Sequence, residues 1–338
     1  MKKIAGIALV LGLLGGIFVY IIAFKNNTKF NENEVYVYVP SNSDYTDVQR
    51  ILDTLVKDVS SVDKIAKLRK YDTHVKAGRF LLKKGMGSFQ IVTAMRQNLP
   101  VKITFNNQER VDLVLQRIDK QIEPTFLELQ NVFKDTVFLQ KEGLTDDTLL
   151  ALFIPNTYEF YWNTSAEKLR DKLVAEYHKF WNEQRIQQAK KQNLSPVQAM
   201  ILASIVHKES VKADERPTIA GVYLNRLAIE MPLQADPTII FAVKKDSNNF
   251  DQVIKRVTGQ YLFINSPYNT YKNTGLPPGL IAMPDVSAIE AVLNPDKHAY
   301  IYFCANPDKP GYHSFAASYE EHQLNAKKYA EWVNKLGL

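Results

Sequence analysis

Ser195-Pro-Val-Gln-Ala-Met-Ile-Leu-Ala-Ser-Ile-Val-His-Lys-Glu209 is the stretch on which the reading of this chain turns. Ser195 can accept from a backbone N–H two or three residues on, Pro196 suits the first helical position, and Gln198 completes a capping box. From Val197 to Val206 only Gln198 and Ser204 are polar. A helix apolar nearly all round belongs in an interior. Glu209 follows Leu202, Ile205 and Val206 at helical spacing, so it prolongs the apolar stripe. A carboxyl there is either a surface group at a fraying end or a proton donor held in an apolar site. In the second case desolvation and the negative end of the helix dipole both raise its pKa. A carboxylic acid kept protonated near neutral pH can serve as a general acid.

Upstream, Val35-Tyr-Val-Tyr-Val39 predicts a strand stopped at Pro40. Val48, Ile51, Leu52, Leu55, Val56 and Val59 recur at helical spacing and predict one amphipathic helix, and Ser61 opens a second. Lys76 to Leu82 returns as a strand, Ser88 caps a helix carrying Phe89, Val92, Met95 and Leu99, and Val101 to Phe105 is the next strand. These make a small α+β subdomain over 35–105, behind a polar tether at 26–34. Residues 106–150 read as a helical connection with Val111, Val114, Ile118 and Ile122 as its apolar stripe. Residues 151–338 form a larger mixed α+β domain. It opens on Phe153-Ile-Pro-Asn-Thr-Tyr158-Glu-Phe160-Tyr-Trp162, whose rings either stack on sugars or fill a core at a junction. Ser165 then begins a long helix.

Ile4 to Phe24 carries no charge and is flanked by Lys2, Lys3 and Lys25. At 1.5 Å per residue it spans about 30 Å, a bilayer core. The run is too long for a typical signal-peptide core, and no small-x-small cleavage site follows. We expect residues 1–25 to hold a single permanent transmembrane helix, a cleaved signal being the alternative. Charge bias orients it only weakly, and the rest of the chain must lie on one side.

The chain has 338 residues, 46% hydrophobic and 23% charged, with a net charge of +6. The excess is mild and spread out, and no Arg-rich block or nucleic-acid motif is present, so no nucleic-acid partner is expected. Cys304 is the only cysteine, which excludes an intrachain disulfide and a cysteine-built zinc site. Its surroundings, Tyr300-Ile-Tyr-Phe-Cys304-Ala, read as a buried strand. His207-Lys-Glu209 is not a metal spacing and no HExxH occurs, so neither metal nor cofactor is expected.

Beyond Glu209 come Ala220-Gly-Val-Tyr-Leu-Asn225-Arg226-Leu, Pro232-Leu-Gln234-Ala-Asp236-Pro237-Thr, Tyr268-Asn269-Thr270-Tyr271 and Gly275-Leu-Pro-Pro-Gly279. Together with Ala203-Ser-Ile-Val-His-Lys-Glu209 these ordered motifs resemble the MltG/YceG family of membrane-anchored endolytic murein transglycosylases. The strand with Lys76-Ala-Gly-Arg-Phe80 resembles that family's LysM-like subdomain, and Ile154-Pro-Asn-Thr-Tyr158 its Phe-Pro-Asp-Thr-Tyr turn. Two departures stand out. His207 occupies a position where the family often has glutamate, and Asn156 replaces an aspartate.

The resemblance implies cleavage of the β-1,4 bond between N-acetylmuramic acid and N-acetylglucosamine in peptidoglycan glycan strands, leaving 1,6-anhydro ends. It maps the catalytic acid onto Glu209. It implies a single pass through the cytoplasmic membrane with a short N-terminus on the cytoplasmic side, a catalytic domain on the outer, periplasmic side, and peptidoglycan synthases as partners. Gln234, Tyr268, Asn269 and Thr270 are candidates for binding sugar hydroxyls and acetamido groups, with turn shaping as their competing role. Asp236 either binds substrate or caps the next helix. Gly275 to Gly279 shapes a groove wall, and Asn225-Arg226 holds structure, by pairing with a carboxylate. Two other functions stay open: a lysozyme-like hydrolase with Asp236 as second carboxylate, and a non-catalytic glycan-binding scaffold for wall synthases.

Overall fold

A computed structural model describes residues 14–17, 19–104, 107–254, 256–257 and 259–335. The expected membrane span lies for its greater part outside the described residues. No helix among the described residues is long and apolar enough to cross a membrane. The described chain is mixed α+β and divides into two compact units.

One unit comprises the chain up to Ile103 with Ile118–Phe126 and Tyr158–Ala166. Strand β1 (Glu34–Val39) is followed by helices α1 (Tyr45–Asp53) and α2 (Val59–Leu68), then β2 (Gly78–Lys83) and α3 (Ser88–Ala94). β1 and β2 pair antiparallel with Val37 opposite Phe80. Strand alternation turns Val37, Val39, Phe80 and Leu82 onto a core shared with Val48, Leu52, Ile65 and Ile91, and leaves Tyr36 and Tyr38 exposed.

The helix expected to run through Val59 instead stops at Asp53. Residues 55–57 are drawn into pairing with the polar segment before β1: Lys29 N–H donates to Leu55 O and Lys57 N–H to Asn27 O. Asp58 then caps α2 by accepting from the N–H groups of Ser60 and Ser61, ahead of the expected start. A second two-stranded sheet joins β3 (Pro100–Thr104) to β4 (Thr157–Tyr161).

The expected helical stretch after β3 holds α4 (Val111–Asp119), α5 (Phe126–Phe133) and α6 (Thr136–Glu142). The aromatic run resolves mostly as core: Phe153 stacks on Phe133 at 5.4 Å, and Tyr158 and Phe160 are buried.

The second unit carries most of the helices: α7 (Ala166–Phe180), α8 (Glu183–Lys191), α9 (Pro196–Glu209), α10 (Arg216–Ala228), α11 (Asp236–Asp246), α12 (Val286–Leu293) and α13 (Tyr319–Lys335). Between α12 and α13 lies the hairpin of β5 (Tyr302–Ala305) and β6 (His313–Ala316). The capping box forms: Ser195 Oγ accepts from Gln198 N–H, and Gln198 Oε1 from Ser195 N–H. Ala199 to Val206 are all buried because α8, α10, α11 and α12 surround α9. The one polar group among them, Ser204, donates to Ile201 O and accepts from Ile281 N–H, so no buried hydroxyl is wasted. β5 is half-buried rather than core, since a two-stranded sheet leaves one face open.

Candidate active site

Glu209 is the last residue of α9 and lies half-buried on a cavity of about 360 Å³. Gln234, Asp236, Arg226, Tyr271 and His313 line the same cavity. Tyr223, fully buried on α10, donates its hydroxyl to Glu209 Oε1 at 2.5 Å. Burial pushes the Glu209 carboxyl up to about 7. The Tyr223 hydrogen bond opposes that rise, the Asp236 charge adds to it, and the Arg226 charge opposes it. No cation is hydrogen-bonded to Glu209 among the described residues.

Among the described residues Arg226 pairs with no carboxylate. Its Nε donates to Ile301 O at 2.6 Å and its Nη1 to Leu233 O at 2.7 Å, so it pins two loops that border the cavity. One of those loops carries Gln234 in the left-handed region, φ 50°. That conformation is costly for a residue with a Cβ and persists only where its surroundings enforce it. Here Leu233 and Ala235 are buried on either side and Gln234 is turned out into the cavity. Asp236 opens α11 without capping it, and Tyr271 Oη donates to its Oδ1 at 2.6 Å.

Three of the candidate binding residues lie elsewhere. Tyr268, Asn269 and Thr270 are buried and do not line the cavity. Tyr268 Oη donates to Asp147 Oδ1. Asn269 Nδ2 donates to Leu262 O and Ile264 O, while its Oδ1 accepts from Tyr271 N–H. Thr270 Oγ1 accepts from Ala235 N–H, and Thr270 O accepts from Gln234 N–H. These residues therefore hold the wall that presents Gln234 and Tyr271. Gly275 to Pro277 border a different cavity, beside Gln198 and Leu224.

The sequence reading missed Tyr223, Tyr271 and His313. The two tyrosines sat inside quoted motifs, but nothing local marks which face a tyrosine takes. His313 is tied to Glu215, far away in the chain: Glu215 Oε1 accepts from His313 N–H at 2.7 Å and Oε2 pairs with Nδ1 at 2.9 Å.

Residues 37–328 match the YceG-like family. A Bacillus subtilis protein named endolytic murein transglycosylase is 29% identical over 351 residues, covering 96% of this chain and 92% of that protein. A protein of the same name from Streptococcus pneumoniae D39 is 29% identical over 361 residues, covering 95% of this chain and 63% of its own greater length. The crystal structure of a YceG-like protein from Listeria monocytogenes is 29% identical with a TM-score of 0.57, over 86% of this chain and 98% of that one. With a match running from β1 into α13 and through every element of the cavity, this chain belongs to the YceG-like family.

Proposed function

We propose that this chain is an endolytic lytic transglycosylase of peptidoglycan, with Glu209 as its acid and base. The observation that carries the reading is a carboxyl raised to about 7 on an open cavity, bonded by a tyrosine and by no cation. Relatives named endolytic murein transglycosylase support it. Protonated Glu209 gives its proton to the glycosidic oxygen as the C1–O4 bond breaks, and the N-acetylglucosamine leaves with a free 4-hydroxyl. The 6-hydroxyl of the N-acetylmuramic acid closes on C1, and its proton returns to Glu209. No water is consumed, and one group serves twice, so a pKa near the working pH suits both halves. Gln234 and Asp236 hold sugar hydroxyls or the acetamido group at the cavity wall.

A second reading rests on Asp236. It lines the same cavity, and a muramidase hydrolase uses a pair of carboxylates. Mass spectrometry of digested glycan separates the two, because an anhydro end is one water lighter than a reducing end. Purified wild type is expected to yield anhydro ends. Glu209→Gln is expected to lose about 1,000-fold or more in rate while staying folded. Cleavage that survives Glu209→Gln would show that Glu209 is not the acid, and a wild type that cleaves no glycan would leave only a glycan-binding scaffold.

The Ile4 to Phe24 run would anchor the chain in the cytoplasmic membrane with the cavity outside, beside synthases making new glycan. The β1–α1–α2–β2 order supports a LysM-like reading of the first unit. Membrane fractionation, and protease access to the second unit from outside the membrane, test the placement.

A further inference from the structure

Glu209 and Asp236 line this cavity themselves, and a third carboxylate, Glu215, reaches it through a partner. Glu215 is 5% exposed in its side chain and accepts three hydrogen bonds, from His313 N–H, from His313 Nδ1 and from Ser210 Oγ. A carboxylate that receives the backbone N–H and the ring of one residue fixes that ring's rotation. It also fixes the proton on Nδ1, because a carboxylate accepts and does not donate. His313 lines the cavity, and its Nε2 has no hydrogen-bond partner among the described residues. The ring cannot turn aside, since Phe303 meets it edge-on at 5.1 Å and Ala305 pairs with His313 across β5–β6. The same Phe303 contacts the Tyr223 ring at 5.8 Å, so the groups that hold Glu209 and His313 are packed together.

We propose that His313 is a saccharide-binding residue whose Nε2 accepts a hydrogen bond from a hydroxyl or acetamido N–H of the sugar beside Glu209, with Glu215 as its positioning residue. The inference rests on the glycan reading of the cavity. With Nδ1–H committed to Glu215, Nε2 offers one lone pair whenever the ring carries a single proton, and sugars supply many O–H and N–H donors. A ring serving only to tie β6 to α10 has no need of an open Nε2 on the cavity.

The test uses the Glu209→Gln protein, slowed about 1,000-fold or more on the proposed function, and a glycan oligomer of alternating N-acetylglucosamine and N-acetylmuramic acid released from peptidoglycan. Titration calorimetry should show His313→Ala weakening binding about 10-fold, the size of one lost hydrogen bond. His313→Gln, whose amide oxygen reaches close to the Nε2 position, should recover most of that loss. Nitrogen-15 NMR on the unaltered histidine should find the proton on Nδ1, and Nε2 shifting as the oligomer saturates. An unmoved Nε2, or His313→Ala binding as tightly as its parent, overturns the proposal while leaving the glycan reading intact. A Glu209→Gln parent that binds no oligomer overturns both.

Discussion

Two of the tyrosine–carboxylate pairs in the second unit look alike and behave oppositely. Tyr223 donates to Glu209 at 2.5 Å, and Tyr268 donates to Asp147 at 3.0 Å. Burial pushes both carboxyls up. At Glu209 burial wins and the pKa reaches about 7. At Asp147 the hydrogen bonds from Lys245 and Tyr268 win, and the group is held below its ordinary value. Glu109 repeats the second pattern with two cations, Lys208 and Lys244. At Glu209 the tyrosine hydroxyl does not offset the desolvation, whereas at the less buried Asp147 and Glu109 the bonded ammonium groups help to do so. The proposed acid is thus distinguished by its deeper burial and by the cation it lacks.

The largest effect expected from this contrast is on stability against pH. The Glu209 carboxyl has an ordinary value of 4.5 and is raised to about 7 on folding. Between those values the folded protein holds a proton that the unfolded chain has released, so stability falls as pH rises through that window. Its contribution is full below pH 4.5 and gone above about 7. Glu209→Gln removes this dependence. Urea unfolding from pH 4 to 8 should show wild type losing about 2 kcal/mol relative to the variant, a figure reduced for the partial exposure of the site. Parallel curves would mean that Glu209 is not desolvated, and the contrast with Asp147 would vanish.

Next in size is Thr270→Val. The hydroxyl that accepts from Ala235 N–H is lost, and a buried N–H is left unpaired. Such a group costs about 1–3 kcal/mol, which denaturant midpoints will read. The loop bearing Gln234 in its left-handed conformation should loosen, and KM should rise more than kcat falls. A change confined to kcat would instead place Thr270 against the substrate.

Tyr223→Phe sharpens the comparison from the other side. The hydroxyl opposes the rise of the Glu209 pKa, so its removal should raise that pKa further. The first step needs protonated Glu209, and the alkaline limb of kcat should move to higher pH. The plateau should drop about 5-fold as the carboxyl loses its fixed orientation. A limb that moves to lower pH would show that Tyr223 stabilises the protonated form.

What the sequence carried and what it withheld follow the range of the interactions. The Ser195 capping box, the buried run to Val206 and the stripe ending at Glu209 all depend on neighbours within a few residues, and they were legible. The break of the first helix was not, because the pairing of residues 55–57 with Asn27 and Lys29 is set by chain that precedes β1. Tyr268, Asn269 and Thr270 read as sugar ligands or as turn-shaping residues, and the sequence does not choose between the two. Their hydrogen bonds turn inward to Asp147, Leu262 O and Ala235 N–H. Direction off the backbone is a tertiary property in a loop, where no periodicity tells inside from outside. His313 stayed hidden for the same reason, since its partner Glu215 lies on another element.

The smallest and most direct test is Lys245→Met. Asp147 would keep its hydrogen bond from Tyr268 and lose the ammonium, becoming chemically like Glu209. The methionine stem can still cover the Tyr268 ring, over which Lys245 Nζ now lies at 4.6 Å. Carbon-13 titration of the Asp147 carboxyl should then move from below its ordinary value to above it, with burial no longer opposed by a cation. Glycan cleavage should be unchanged, because Asp147 does not line the cavity of Glu209. The midpoint of thermal unfolding should hardly move, as both partners of this pair are substantially exposed. A carboxyl that stays low without Lys245 would assign the difference between the two pairs to the geometry of the tyrosine hydrogen bond, and Glu209 would owe its proton to something other than the absence of a cation.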